Sequence, residues 1–330
     1  MPRTERDFNF LTGLLKCRER ELGDESLARE LVSARSMAEV VAALPPGRFA
    51  QAVAADPTDA GIERAATEEM AELWKVMADY APVPELADLV AAPLDLHNLK
   101  TALLGHLRGE QSTGLYQPTA LVDDDVLAEV GELSTARVPD HYLPAIQAGL
   151  AAYYGADRSP QALELAIDRS RSLLLVDIAA RRSRALAAVL ADWSDLAVAE
   201  TIMRGKDAGL PWRVVRWGSH GLPEQARLQE LFDSPTGEWA QMRVFARPLL
   251  TAAVQALGQG AGTRETILRL QTELTTRLGA SRYAPASLEY AYYFVRRKLN
   301  DLASFRIACL GALRELSNEA QAARLNLGFG

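Results

Sequence analysis

Apolar residues recur at every third or fourth position along most of this sequence, which is the spacing of one face of an α-helix. One such run contains, in order, Ile62, Ala66, Met70, Leu73, Met77 and Tyr80. Alternation with a period of two, which would indicate half-buried strands, is nowhere sustained for more than a few positions. Its best example, Trp212 to Trp217, lies between glycine-containing turns and is interpreted as a connection. The pattern therefore predicts an all-α protein.

Residues that can cap helix N-termini precede several of these apolar runs. The predicted caps are Thr4, Ser36 (with Glu39 as a capping box), Asp56 before Pro57, and Ser159 before Pro160. The helix that starts at Ser159 is expected to continue to about Leu190, and another is expected from near Pro285 to about Leu316. Two helices of about thirty residues, well above the average length, favour a fold built from helical bundles.

Composition agrees with a globular protein and limits its partners. The 330 residues are 48% hydrophobic and 24% charged, and 36 basic against 43 acidic residues give a net charge of −7. This balance argues against general nucleic-acid binding, which requires concentrated Lys and Arg. The basic runs 181–184 and 296–298 are interpreted as solvated helix faces.

The chain shows no sign of crossing a membrane or of a disulfide framework. No stretch approaches the ~18–20 uninterrupted apolar residues that span a bilayer, and the charged first residues do not resemble a signal peptide. Cys17 and Cys309 lie at opposite ends of the chain and are each interpreted as small core residues, which favours a cytosolic location.

Candidate chemistry is sparse. The carboxylates Asp123, Asp124 and Asp125 are consecutive and would splay around a helix, so they are interpreted as a loop and cap rather than as a magnesium site. The histidines (His97, His106, His141 and His220) show no metal-binding spacing, and no phosphate-binding glycine loop or nucleophile elbow is present. We therefore predict no catalytic, cofactor-binding or metal-binding residue.

A segment recurs about every hundred residues. Its first copy contains Asp95, Asn98, Leu99, Lys100 and Gly109; its second contains Asp195, Arg204, Lys206 and Gly209; its third contains Asp301, Arg306 and Gly311. Each copy is expected to be one helix with its acidic residue near the positive N-terminal end of the dipole and its glycine near the C-terminal end. Spacing alone also allows three ordinary leucine-rich helices.

The copies resemble segments of a known family, the C-type subunits of the A/V-type rotary ATPases, whose eukaryotic relatives are the d-type subunits. The run 95–100 followed by Gly109 is similar to the family's D-x-x-N-L-(K/R) segment, and 201–211 is similar to its second segment. Tyr290, Tyr292 and Tyr293 before Arg-Arg-Lys resemble its tyrosine-rich last helix, and the apolar pattern of 8–44 resembles its first helices.

The resemblance implies three helical bundles of about 1–117, 118–220 and 221–330, between which helices can be exchanged, arranged as a pseudo-threefold funnel. It implies a non-catalytic coupling subunit on the cytoplasmic face of the membrane, peripheral to it and without cofactors. The expected partners are the rotor shaft subunits and the membrane rotor ring, and the transported ion is a proton or sodium. The repeated residues would be structural or interaction residues. A generic α-helical adaptor and a magnesium-dependent all-helical enzyme are the alternatives.

Overall fold

The computed structural model describes residues 7–110, 115–117, 122–242 and 247–322, and within these ranges it contains helices and no strand. The all-α prediction is confirmed. The α-helices are α1 Phe8–Arg18, α2 Glu25–Ser33, α3 Met37–Ala43, α4 Arg48–Ala55, α5 Asp59–Tyr80, α6 Pro84–Arg108, α7 Asp124–Gly131, α8 Leu143–Gly155, α9 Pro160–Ala180, α10 Arg184–Asp207, α11 Trp212–Val215, α12 Gln225–Asp233, α13 Pro248–Gly258, α14 Thr263–Gly279, α15 Leu288–Leu313 and α16 Asn318–Ala322.

Side-chain caps begin several of the predicted helices. The hydroxyl of Ser36 accepts a hydrogen bond from the amide of Glu39. The hydroxyl of Ser159 caps α9 in the same way, and Pro160 lies in the first turn of that helix. The cap expected at Asp56 is wrong, because Thr58 caps α5 and Asp56 instead accepts hydrogen bonds from Thr58 and Arg64. The predicted cap at Thr4 lies outside the described residues.

The long helix predicted from Ser159 to Leu190 is two helices. α9 ends at Ala180, and α10 begins at Arg184 with the Ser183 hydroxyl accepting the amide of Leu186. The helical apolar spacing continues through the turn, so periodicity alone did not reveal it. The second long helix is confirmed, since Ser287 caps α15 and the helix continues to Leu313.

The helices form two compact units, whose limits lie within α6 and α14. The first unit comprises 1–90 and 278–330, so it joins the two ends of the chain. Its core packs α2, α3, α4 and α5 around α15, and its central residues are Leu31, Val40, Val53, Ile62, Ala308 and Cys309. The three predicted bundles have boundaries other than these limits, and the division at 117/118 and 220/221 stays a prediction.

The second unit, 91–277, contains two larger cores. One packs α6 against α7, α8 and α9 through residues such as Leu99, Leu103, Val130 and Ile146. The other packs α10 against α12, α13 and α14 through residues such as Ala199, Ile202, Leu228, Leu250 and Leu274. The segment from Trp212 to Trp217, predicted as a connection, forms α11 and part of a following 3₁₀ turn.

Two predictions about burial are wrong. Cys17 is exposed, whereas Cys309 is a core residue as expected. Arg297 and Lys298, expected on a solvated face, are 8% and 5% exposed. Lys298 is buried against Glu21 and Glu69 of other elements, and Arg297 against Asp301 of its own helix and the carbonyl of Gly23. These polar contacts have no signal in the local apolar pattern.

Candidate functional site

The three repeat helices, α6, α10 and α15, bury the same positions relative to their aspartates. Asp95, Asp195 and Asp301 are all buried, and so are the residues one, three, four, seven, eight and ten positions later in each copy. Leucine occupies the first of these positions in all three copies, and glycine occupies the last, as Gly105, Gly205 and Gly311. The internal repeat is therefore a repeated packing face, not three unrelated leucine-rich helices.

The three repeat helices also end in the same way. The residue fourteen positions after the aspartate has a positive φ in each copy: 70° at Gly109, 64° at Gly209 and 53° at Glu315. The next amide donates to the glycine carbonyl five residues back, at 2.8, 2.9 and 2.9 Å. This is the hydrogen bond of a Schellman C-cap. Gly311 therefore matches Gly105 and Gly205, and its expected correspondence to Gly109 and Gly209 is wrong.

The shared geometry of the C-cap leads to a matched pair of stability predictions. Glu315 adopts a left-handed conformation that costs a side-chain-bearing residue about 1 kcal/mol relative to glycine. We expect Glu315→Gly to raise the free energy of unfolding by about that amount, and Gly209→Ala to lower it similarly. Urea denaturation measures both, and a destabilising Glu315→Gly would contradict the interpretation.

The aspartates do not lie near helix starts, so the expected dipole role is wrong. Asp95 lies in the middle of α6, Asp195 in the middle of α10 and Asp301 in the middle of α15. Each instead accepts a hydrogen bond from a residue at or next to the start of another helix of its own unit. We call these three interactions the aspartate contacts.

The first aspartate contact lies in the second unit. The Tyr142 hydroxyl, at the N-cap of α8, donates to Asp95 Oδ2 at 2.7 Å, and both residues are fully buried. One turn on, Asn98 exchanges two hydrogen bonds with the backbone of Gln117, at 2.7 and 2.8 Å.

The other two residues of the first copy also have partners within the protein. Lys100 pairs with Asp168 of α9 at 3.0 Å. Leu99 is fully buried in the core.

The second aspartate contact joins α10 to the start of α13. Arg247, the N-cap residue of α13, donates from Nη1 to Asp195 Oδ1 at 2.5 Å. Burial raises the pKa of Asp195, although Arg247 and Arg169 oppose this shift. Arg169, itself 4% exposed, bonds the neighbouring Ser194 hydroxyl.

The basic residues of the second copy have different surroundings. Arg204 is 75% exposed on its side chain and pairs with Glu200 one turn earlier. Lys206 donates to the carbonyls of Phe232 and Ser234, so it satisfies the C-terminal end of α12. Of these two, Arg204 is therefore the one placed for contact with another molecule.

The third aspartate contact joins the two ends of the chain. Asp301 is fully buried and accepts the amide of Gly23 at 2.9 Å and Nε of Arg297 at 3.3 Å. Arg297 also donates to the carbonyl of Gly23. Burial raises the pKa of Asp301 to about 6, against the opposing influence of Arg297 and the Gly23 amide. Arg306, on the same helix, pairs at the surface with Glu63 of α5.

A network of four buried or half-buried charges lies one turn from this contact. Lys298 lies 3.0 Å from Glu21 and 3.0 Å from Glu69, and Arg18 lies 3.2 Å from each of the same carboxylates. Burial disfavours ionisation of Glu21, but Lys298 and Arg18 outweigh it and lower its pKa. We call Arg18, Glu21, Glu69 and Lys298 the four-charge network.

Sequence reasoning identified the aspartates but not their partners. Arg297 and Asp301 are four residues apart, which is the spacing of an ion pair within a helix, so the sequence does contain a signal for this one contact. Tyr142 and Arg247 lie 47 and 52 residues beyond their aspartates, and nothing in the local sequence marks them.

The remaining candidate residues have local structural roles. Asp123 caps α7 by accepting the amide of Val126, and Arg137 faces both Asp123 and Asp125, so the expected loop and cap are confirmed. His220 bonds the carbonyl of Trp217, and burial lowers its pKa and that of His97. Within the described residues, no three His, Cys, Asp or Glu side chains form a group that could hold a metal ion.

Three findings bear on what the arrangement does. No helix in the described part of the chain is both long and apolar enough to cross a bilayer. A family model described as ATP synthase (C/AC39) subunit matches residues 11–321. No curated protein matches the chain.

Proposed function

The chain belongs to the ATP synthase (C/AC39) subunit family, and from this premise we propose that it is a non-catalytic coupling subunit in the central stalk of a V/A-type rotary ATPase. It seats the rotor shaft on the membrane rotor ring and transmits torque between ATP chemistry and proton or sodium transport. It acts on the cytoplasmic side of the membrane, peripheral to it, and needs no cofactor of its own. As a member of this family the chain is a subunit of the ATPase complex.

The single observation that carries this proposal is the repeat of the same helix three times within a match that covers nearly the whole chain. Each copy has a buried aspartate contact to the start of another helix. In the last copy, that contact returns from residue 301 to residue 23. A helix repeated three times agrees with the three bundles that the proposal includes.

The contacts also suit the mechanical task. A subunit that transmits torque must not deform, and buried, hydrogen-bonded charges are costly to separate because an unpaired buried charge is strongly destabilising. The aspartate contacts fix helices to one another at defined positions, beyond what non-directional apolar packing specifies. The side chains that carry these contacts are engaged within the protein, which agrees with a positioning role rather than a catalytic one.

Reconstitution tests the proposal. We expect a rotary ATPase depleted of this subunit to hydrolyse ATP without moving ions, and addition of the purified chain to restore ATP-driven transport. Ion uptake into vesicles and phosphate release, measured together, give the coupling. Failure of the folded chain to bind the depleted complex, or hydrolysis of ATP by the chain alone, would refute the proposal.

A further inference from the structure

An arginine- and aromatic-rich patch lies on the second unit, away from the aspartate contacts. It is formed where the end of α8 meets α11, and we call it the arginine patch; its members are Tyr154, Asp157, Arg158, Arg213, Arg216 and Trp217. Asp157 pairs with Arg213 at 3.0 Å, and the guanidinium of Arg216 lies 5.3 Å from the centre of the Trp217 ring. Trp217 in turn packs against Gly155, directly after Tyr154.

The patch is positive on an acidic protein. The two segments that form it, 154–158 and 213–217, contain three arginines and one acidic residue, whereas the whole chain has a net charge of −7. Arg158 and Arg216 are exposed, and in the described part of the structure neither has a carboxylate partner. Since Asp157 neutralises Arg213, two positive charges remain available to a ligand.

The backbone of the patch is held in an unfavourable conformation. Asp157 and Arg158 are consecutive residues with φ values of 55° and 58°, a region that non-glycine residues seldom adopt. The indole Nε1 of Trp217 is buried and has no hydrogen-bond acceptor among the described residues. Residues held in sparsely populated backbone regions cluster at active sites and ligand-binding sites, and a buried unsatisfied polar group requires an explanation.

The exposed side chains are those that protein interfaces favour. Tyr154 is 58% exposed. Tyrosine, tryptophan and arginine are the residues most enriched among those that carry the binding energy of protein–protein contacts. A membrane surface recruits clusters of four to eight Lys or Arg, which is more than this patch offers.

We propose that the arginine patch is a docking surface for an acidic segment of another protein subunit. Carboxylates of that segment pair with Arg158 and Arg216, and an apolar side chain beside them covers Tyr154. The inference rests on the proposed function, because the partner is sought among the other subunits of the rotary ATPase. It extends that function by locating one contact surface and stating the charge of its partner.

Charge reversal tests the inference. The probe is the rotary ATPase complex depleted of this subunit, and the full chain is titrated against it at several salt concentrations. We expect Arg158→Glu/Arg216→Glu to bind at least tenfold more weakly than wild type, and wild-type binding to weaken with salt. The matched control is Arg35→Glu/Arg269→Glu, which changes the net charge equally at two exposed arginines outside the patch.

The outcomes separate this inference from the proposed function. Wild-type affinity in the patch variant, or an equal loss in the control, overturns the inference alone. The same proteins are also titrated against vesicles that contain phosphatidylserine. If the patch variant loses binding only to these vesicles, the surface serves a membrane and the inference is again overturned. If folded wild-type chain fails to bind the depleted complex, the proposed function fails and the inference fails with it. Arg158→Glu alone is measured as well, because Arg216 contacts the Trp217 ring.

Discussion

Replacement of Lys298 by methionine is expected to lower the free energy of unfolding by about 3–5 kcal/mol, because it removes one partner from a buried ionic network. Lys298 is 5% exposed and lies 3.0 Å from each of Glu21 and Glu69. Without it, both carboxylates share Arg18 as their cation, and Glu69 already has one oxygen without a hydrogen-bond partner in the described structure. Urea denaturation at neutral pH gives the difference.

Two further variants make this prediction specific. The side chain of Lys16 is 44% exposed and pairs with Glu19 at the surface. Lys16→Met should therefore lower the free energy of unfolding by at most about 1 kcal/mol. Lys298→Met/Glu69→Met removes both charges and should recover much of the loss, since apolar residues replace a buried pair at little cost. A loss in Lys298→Met no larger than in Lys16→Met would show that the four-charge network contributes little to stability.

The contribution of Asp301 to the free energy of unfolding is expected to decrease as pH rises from about 4 to about 6.5. Burial raises the pKa of Asp301 from 3.8 to about 6. Between these values the native protein retains a proton that the unfolded chain has released, so the free energy of unfolding falls with increasing pH. The stability that Asp301 contributes is fully present below its pKa in the unfolded chain and is lost above its pKa in the native protein. A pKa shift of this size corresponds to about 3 kcal/mol of unfolding free energy.

Comparison with Asp301→Asn isolates this contribution from the other titrating groups. The variant cannot ionise at this position, so its stability should lack the part of the pH dependence that Asp301 causes. The free energy of unfolding of both proteins, measured from pH 4 to pH 7, gives the difference between the two curves. Parallel curves across this range would mean that the carboxyl group of Asp301 is already ionised at pH 4 in the native protein.

The helical class and several helix starts could be predicted because they depend on local physics. Ser36, Ser159 and Ser287 each accept a hydrogen bond from the amide three residues later, and each lies where a helical apolar run begins. The turn at Ser183 was not recognised, because the surrounding run keeps helical spacing through it. A cap can be identified from sequence only when the apolar pattern itself changes at the same place.

The candidate site was predicted only in part because its partners are distant in sequence. Asp95, Asp195 and Asp301 were recognised through their repeat, but Tyr142, Arg247 and Gly23 became neighbours only in the fold. The end of the third copy was placed wrongly because Glu315 takes the left-handed position that glycine has in the other two. A sequence pattern identifies this C-cap position by its glycine, because glycine adopts a positive φ with the least strain. The third copy has the same backbone geometry as the other two but carries glutamate there.

The contact between Gly23 and Asp301 belongs to a unit that can be completed only late in synthesis. Residues 27–66 of its core pack against side chains of α15, which emerge from the ribosome only after the whole of the second unit has been made. At about 5–20 residues per second, the apolar faces of the early helices wait roughly 10–50 s for that helix. These early helices are thus translated long before the helix that buries their apolar faces, and during that interval the exposed faces can bind chaperones.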